Sequence, residues 1–172
     1  MGVSSDSRVS VSAIGQDSHR FESNDSSKPL VLGGVTIPNC VGLEGNSDAD
    51  VILHAVTNAV SGISGQNILG KISDDLCRNG QTDSRVYLEK AVETLKAGEW
   101  KLTHVSISIE AKRPHLADHI PAIKKSIASI LSLQENDIGL TATTGEGLTA
   151  FGRGEGIQAL VIVSAVRAGR PL

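Results

Sequence analysis

The sequence predicts an α+β fold, a mixed β-sheet with helices packed on one of its faces, in a single domain spanning residues 1–172. Two observations support this: the apolar residues change repeatedly between a period of two and a helical period, and the last apolar run is nearly continuous. Val9, Val11 and Ala13 alternate with Ser10 and Ser12, and Val105-Ser106-Ile107-Ser108-Ile109 alternates in the same way. Helical patterns lie between and after these segments. Leu160–Val166 is almost wholly apolar and reads as a buried strand. The resulting order is strands, two helices, strand, helix, strand, loop, strand, which suits helices layered over one sheet face.

Residues 1–8 are small and polar and are expected to be disordered. The first strand runs into Gly15-Gln16-Asp17-Ser18-His19, and if it stays extended, Asp17 and His19 project from the same face. Residues 22–28 are a polar loop. Leu30-Val31-Leu32 and Val35-Thr36-Ile37 flank Gly33-Gly34, which predicts a β-hairpin. A helix is expected from about Ser47 to Val60, with Ser47 as its cap and Asp50 as the far half of a capping box. Residues 64–82 read as a long loop. The next helix is capped by Thr82 or Asp83, carries the stripe Val86, Ala91, Val92 and Leu95, and ends at Gly98. Pro114–Leu133 is helical in pattern, Ile138–Thr143 is a strand, and Gly145–Gly156 is a glycine-rich loop. The last strand offers few polar positions to the uncovered sheet face, so that face is expected to pack against another copy of the chain.

Bulk properties narrow the function. The chain length of 172 residues supports one well-buried domain. A net charge of −3, no basic run and an aromatic share of 2% argue against a nucleic-acid partner. Cys40 and Cys77 match neither a disulfide framework nor a Cys-x-x-Cys metal site, so both are read as free thiols. No apolar run has the length of a membrane span and no signal-peptide core precedes the first strand, so the expected location is cytoplasmic.

Three groups of residues offer chemistry. Asp17, His19 and His54 supply mixed oxygen and nitrogen donors, enough for a three-ligand metal site with an open position. Their plainer reading is two turn residues and a helix histidine paired with Asp50 four residues earlier, and spacing alone favours it. Thr143-Thr144-Gly145-Glu146 brings hydroxyls, loop amides and a carboxylate to a strand end, a set that suits phosphate oxygens and Mg²⁺, or merely a capped turn. Gly152-Arg153-Gly154-Glu155-Gly156 sets a guanidinium among glycines, either for an anion or in a solvated ion pair.

Together these segments resemble the 2-C-methyl-D-erythritol 2,4-cyclodiphosphate synthase family. The similarity is carried by Gly15–Phe21, Leu32–Pro38, Asn46–Ala55, Thr82–Arg85, Arg113–Leu116, Thr141–Thr144 and Phe151–Ile157, in family order over roughly residues 9–168. The resemblance implies a ferredoxin-like sandwich assembling as a homotrimer with active sites between subunits. It implies that Asp17, His19 and His54 bind Zn²⁺, and that Glu146 binds a second divalent cation, Mg²⁺ or Mn²⁺. Thr143, Thr144 and Gly145 would approach the diphosphate, Ala111, His115 and Leu116 would line a cytosine pocket, and Ser47, Gly70 and Arg153 would complete the substrate contacts. The implied reaction converts 4-diphosphocytidyl-2-C-methyl-D-erythritol 2-phosphate to the cyclic diphosphate with release of CMP.

The chain departs from the family pattern at four places. Asn46 stands where the family usually has His, and Asn67-Ile68-Leu69-Gly70 replaces Gly-Asp-Ile-Gly. Ile72-Ser73-Asp74-Asp75 replaces the usual Phe-Pro-Asp-Thr-Asp loop, and His115 stands where Lys is common. Asn46 can donate a hydrogen bond but not a proton. Two other functions use the same residues: a zinc-dependent phosphohydrolase with water as nucleophile, and a non-catalytic trimeric binding protein.

Overall fold

The computed structural model describes residues 8–169. Its main sheet has strand order β1-β6-β4-β5, from β1 (Arg8–Arg20), β4 (Lys101–Glu110), β5 (Ile138–Thr143) and β6 (Gly156–Ala168). β6 is antiparallel to both β1 and β4, while β4 and β5 run parallel, with helix α4 (Ile120–Leu131) between them in the chain. A parallel pair needs such a crossover because the chain must return to the same end of the sheet. The expected mixed sheet is present. The ferredoxin-like description is corrected: that motif runs β-α-β-β-α-β, whereas the four sheet strands and their helical crossovers here follow β-α-β-α-β-β.

β1 stays extended through Arg20, so Val11, Ala13, Gly15, Asp17 and His19 share the helix-covered face. Helix α1 (Val51–Ser64) crosses that face very closely. A Cβ on Gly15 would collide with the Ala55 carbonyl and the Ala59 amide, so only glycine lets α1 approach here. Helix α3 (Ser84–Ala97) packs over α1, capped by Asp83 and ended by Gly98 as the sequence predicts. Tyr87 and Leu88 join its buried stripe. The buried core is aliphatic, centred on α1 residues Val51, Ile52, Leu53 and Val56 and sheet residues Ile107, Ile109, Val161 and Val163.

Several boundaries differ from expectation. Arg8 already pairs with Ala168 in β1, so order begins within the segment read as disordered, and residues 1–7 lie outside the described residues. The 64–82 stretch contains a helix, α2 (Lys71–Arg78), whose many polar side chains hid its periodicity. α4 begins at Ile120 instead of near Pro114, with Pro121 in its first turn where a missing N–H costs nothing. β6 is not buried on both faces. Ala159, Val161, Val163 and Ala165 point into the core, while Leu160 and Ile162 are 39% and 49% exposed and Ile14 of β1 is 67% exposed beside them. The sheet therefore keeps one uncovered face with an apolar centre.

The start of α1 is also corrected. Asp50, not Ser47, is the cap: its Oδ1 accepts from Ile52 and Leu53 N–H at 3.1 and 3.0 Å. Oδ1 also accepts from Gly33 N–H at 2.8 Å, and Oδ2 from Gly34 N–H at 2.6 Å. Gly33 and Gly34, at φ 60° and 78°, form the two-residue turn of the hairpin β2 (Pro29–Leu32) and β3 (Val35–Val41). One fully buried carboxylate thus joins the hairpin to the helix. Burial pushes its pKa up to about 6, against the pull of the N–H groups, which leaves it ionised at neutral pH.

Asp50→Asn keeps the shape but turns one acceptor oxygen into a donor facing N–H groups. Loss of about 2–3 kcal/mol of stability is expected at pH 7.5, read as a lower urea midpoint.

Candidate metal centre and substrate clefts

Asp17 and His19 come from β1 and His54 from the second turn of α1. Asp17 Oδ2 lies 2.9 Å from both His19 Nε2 and His54 Nδ1, and the two nitrogens lie 3.2 Å apart. Tetrahedral zinc with bonds near 2.0–2.1 Å requires donor separations of about 3.3 Å. The three donors therefore stand close to the spacing a metal ion needs, and they form the one such cluster found among the described residues. His54 is 8% exposed, and its nearest carboxylate is the distant Asp17 instead of Asp50. The plainer sequence reading of an Asp50–His54 pair does not hold, because Asp50 is committed to the backbone.

Each ring is held from behind. His19 Nδ1 lies 2.7 Å from the Glu44 carbonyl, which can only accept, so Nδ1 carries the proton and Nε2 is free to ligate. His54 Nε2 lies 2.8 Å from Ser84 Oγ. Burial by itself would raise the Asp17 pKa, but hydrogen bonding and proximity to His19 and His54 outweigh it and hold the carboxyl well below the ordinary range. Burial pulls His19 downward, yet Asp17 and the Glu44 carbonyl more than compensate, leaving it above 6.5.

The triad sits in a cleft of about 220 Å³. One wall is the turn Gly45-Asn46-Ser47; the opposite wall includes Leu69, Asp74 and Cys77 from the α2 region. Cys77 Sγ donates to the Asn46 carbonyl at 3.1 Å, and Ser47 Oγ accepts from Ala49 N–H at 3.0 Å, so the turn is fixed on both sides. Gly70, at φ 124°, precedes α2, and its N–H donates to Ser73 Oγ at 2.9 Å.

A second cleft, of about 190 Å³, is lined by Ala111, His115, Leu116, Thr143 and Thr144 among others. Ala111 N–H donates to the Thr143 carbonyl at 3.0 Å, extending the β4–β5 ladder into the cleft floor. Beyond Thr144 the chain turns sharply, with Glu146 left-handed at φ 49° and its Oε1 accepting from Thr144 Oγ1 at 3.1 Å. Gly145 N–H donates to Thr143 Oγ1 at 3.2 Å. Glu110 braces the turn by accepting from Thr149 Oγ1, whose oxygen also accepts from Gly152 N–H. Arg153 pairs with Glu155 at 2.8 Å on the exposed side. The two clefts share no lining residue, so within one chain the triad and the Thr143–Glu146 turn are not brought together.

An α+β chain in which a strand and a helix bring Asp17, His19 and His54 to metal-ligand spacing belongs to the class of proteins with a candidate metal site. The comparison with known proteins is more specific. The chain belongs to the YgbB family, which it matches over residues 11–166. It is 45% identical over 152 residues to 2-C-methyl-D-erythritol 2,4-cyclodiphosphate synthase of Chlamydia trachomatis, covering 88% of this chain and 85% of that protein. It is 46% identical over 154 residues to the synthase of Chlamydia muridarum, covering 89% and 86%. Among solved structures, a 2C-methyl-D-erythritol-2,4-cyclodiphosphate synthase in a CDP-bound form superposes with TM-score 0.77 at 34% identity, covering 90% of this chain and 99% of that one. The bifunctional IspDF from Campylobacter jejuni superposes with TM-score 0.84 at 32% identity, covering 95% of this chain, which spans 43% of that longer protein. The chain is accordingly an enzyme, a phosphorus–oxygen lyase of non-mevalonate isoprenoid synthesis.

Residue spacing did not single out Asp48 and Ser84 behind His54, nor Lys28, whose Nζ donates to the Gly45 carbonyl at 2.9 Å. Ser84 had a usable signal, the Asp83 cap that places it at the start of α3. Lys28 had none.

The Asp17–His19 pair gives the metal-free protein a defined pH dependence. Asp17 stabilises the fold above the unfolded value of 3.8 and loses that effect as pH falls through its lower folded value. His19 stabilises it below 6.5 and loses that effect as pH rises through its higher folded value. The stability advantage of the metal-free protein over His19→Ala should therefore be greatest between about pH 4 and 6.5 and shrink by pH 8.5, in urea titrations with a chelator present. Zinc affinity should run the other way, rising from pH 6 to 8 as the ligand loses its proton.

Proposed function

We propose that the chain converts 4-diphosphocytidyl-2-C-methyl-D-erythritol 2-phosphate to 2-C-methyl-D-erythritol 2,4-cyclodiphosphate and CMP, as a cytoplasmic homotrimer. The observation that carries this reading is the convergence of Asp17 Oδ2, His19 Nε2 and His54 Nδ1 in the cleft beside Asn46 and Ser47. Asp17, His19 and His54 would hold Zn²⁺, and Glu146 would hold Mg²⁺ or Mn²⁺. When bound, the ions supply the positive charge that polarises phosphoryl oxygens, which an acidic protein of net charge −3 otherwise lacks.

The reaction needs no protein nucleophile. An oxygen of the substrate's own 2-phosphate attacks the β-phosphorus, a new phosphorus–oxygen bond closes the ring, and the bond to the α-phosphate breaks as CMP leaves. Holding both phosphates in line is the enzyme's main task, and well-oriented intramolecular reactions gain on the order of 7–11 kcal/mol in this way. Asn46 donates a hydrogen bond to the attacking phosphate, with its main chain steadied by Cys77. The Thr143 and Thr144 hydroxyls and the Gly145 region contact the diphosphate, with Thr144 positioned for the charge of the transition state. Backbone groups from Ala111 to Leu116 hold the cytosine, with His115 at the cleft wall. Gly70 and Arg153 complete the substrate set, Gly70 beside the triad cleft and Arg153 beyond the Thr143–Glu146 turn.

Two features support the trimer: the separation of the clefts and the apolar centre of the open sheet face. A rotated copy would set one chain's Thr143–Glu146 turn against the next chain's triad, and Ile14, Leu160 and Ile162 are the residues that association would cover. Ile162→Asp should shift the protein from trimer to monomer in sedimentation and reduce activity at least tenfold with each metal triad unchanged.

Incubating the diphosphocytidyl substrate with Zn²⁺ and Mg²⁺ and separating the products tests the reaction directly. CMP with the cyclic diphosphate supports the reading, open-chain phosphates indicate a hydrolase, and unchanged substrate indicates a binding protein. Glu146→Gln should raise the Mg²⁺ requirement about tenfold or more while bound zinc stays stoichiometric.

A further inference from the structure

His54 meets Asp17 and His19 with Nδ1, so its Nε2 faces into the protein. There it lies 2.8 Å from Ser84 Oγ, and Ser84 Oγ donates to Asp48 Oδ1. Ser84 is fully buried, at 0% exposure. The direction of this chain is decided at its far end. A carboxylate only accepts, and a serine hydroxyl has one proton, so that proton goes to Asp48. Ser84 Oγ must then accept from His54, which requires a hydrogen on Nε2. Asp17 Oδ2, 2.9 Å from Nδ1, also only accepts, so without a metal Nδ1 donates to Asp17. A bound metal would displace that hydrogen and take the Nδ1 lone pair while Nε2–H stays on Ser84.

We propose that Asp48 and Ser84 act as a positioning pair that locks His54 in its Nε2–H form and aims Nδ1 at the metal. The inference rests on the metal reading given above. Asp48 is itself anchored: Oδ2 accepts from Ser84 N–H at 3.1 Å and Oδ1 from Asp50 N–H at 3.2 Å. Its own N–H donates to the Thr82 carbonyl at 2.8 Å. The pair therefore connects the N-terminus of α3 to the turn that presents Asn46 and Ser47. The Tyr87 ring, with its centroid 6.1 Å from that of His54, packs beside the imidazole and further restricts it. His19 reaches the same tautomeric certainty by a different device, a backbone carbonyl on Nδ1, so the two histidines present opposite ring nitrogens to one point.

The test compares the full-length wild type, Ser84→Ala and Asp48→Asn. Long-range ¹⁵N–¹H NMR of the zinc-free proteins reads the imidazole tautomers, and competition with a chromophoric chelator reads zinc affinity. Wild type should show a hydrogen held on His54 Nε2. Ser84→Ala should show a mixture and bind zinc about 10–100-fold more weakly, the effect expected for loss of a partner behind a ligand. Asp48→Asn can reverse the Ser84 hydroxyl and should weaken zinc in the same direction, and it carries the test if Ser84→Ala fails to fold. His19 should keep its tautomer in both variants, a selectivity that a general loosening of the fold would not give. A zinc-free wild type would overturn the metal reading itself. Zinc binding by wild type that either folded variant equals, with or without a tautomer change, overturns the positioning role alone.

Discussion

The buried carboxylate of Asp50 is the constraint on which the rest of the molecule depends. It accepts hydrogen bonds from two glycine amides of a hairpin and from two amides at a helix start, three of these bonds buried and the one from Gly34 partly so. Without it those amides would be orphaned in the interior, each at a cost of roughly 1–3 kcal/mol. The link sets where α1 begins, and so which turn of the helix faces β1. His54 lies four residues after Asp50, and its reach to Asp17 follows from that starting point. The same link places Asp48 and the Asn46-Ser47 turn immediately upstream, at the mouth of the cleft.

Close packing converts that starting point into a candidate metal site. Gly15 lets α1 approach β1 closely, two residues before Asp17 and four before His19. A metal ligand set demands sub-ångström placement, and rigid elements supply it better than loops. Here one strand provides two donors from alternate positions and one helix provides the third. The electrostatics follow from this proximity: two imidazoles beside a partly buried carboxylate lower its pKa, and the carboxylate raises that of His19. The polar groups behind the rings hold them in place before any ligand arrives.

The second cleft is built on a different principle. It lies at the ends of the parallel strands β4 and β5, where backbone groups leave the ladder and face outward. Glu110, Thr149 and Gly152 brace the turn that presents Thr144 and Glu146. A single chain keeps its two clefts apart, and it carries an open sheet face with apolar residues at its centre. The proposed assembly of identical chains would account for both features with one set of contacts.

Much of this was determined by the sequence alone. Period-two alternation identified β1 and β4, the Gly33-Gly34 pair located the hairpin, and Asp83 and Gly98 bounded α3, because each signal is local and read within a few residues. The triad residues were named from motif order, and strand periodicity already put Asp17 and His19 on one face. Tertiary structure decided what depends on distant partners. Asp50 displaced Ser47 as the cap because glycines more than a dozen residues away also donate to it. His54 faces Asp17 because α1 packs on β1 at Gly15. β6 reads in sequence as a nearly continuous apolar run, and only the tertiary structure sorts it into the core-facing Ala159, Val161, Val163 and Ala165 and the outward Leu160 and Ile162. The support of His54 by Ser84 and Asp48 joins three segments and has no local signature, since a hydrogen bond between distant residues leaves no period in the chain.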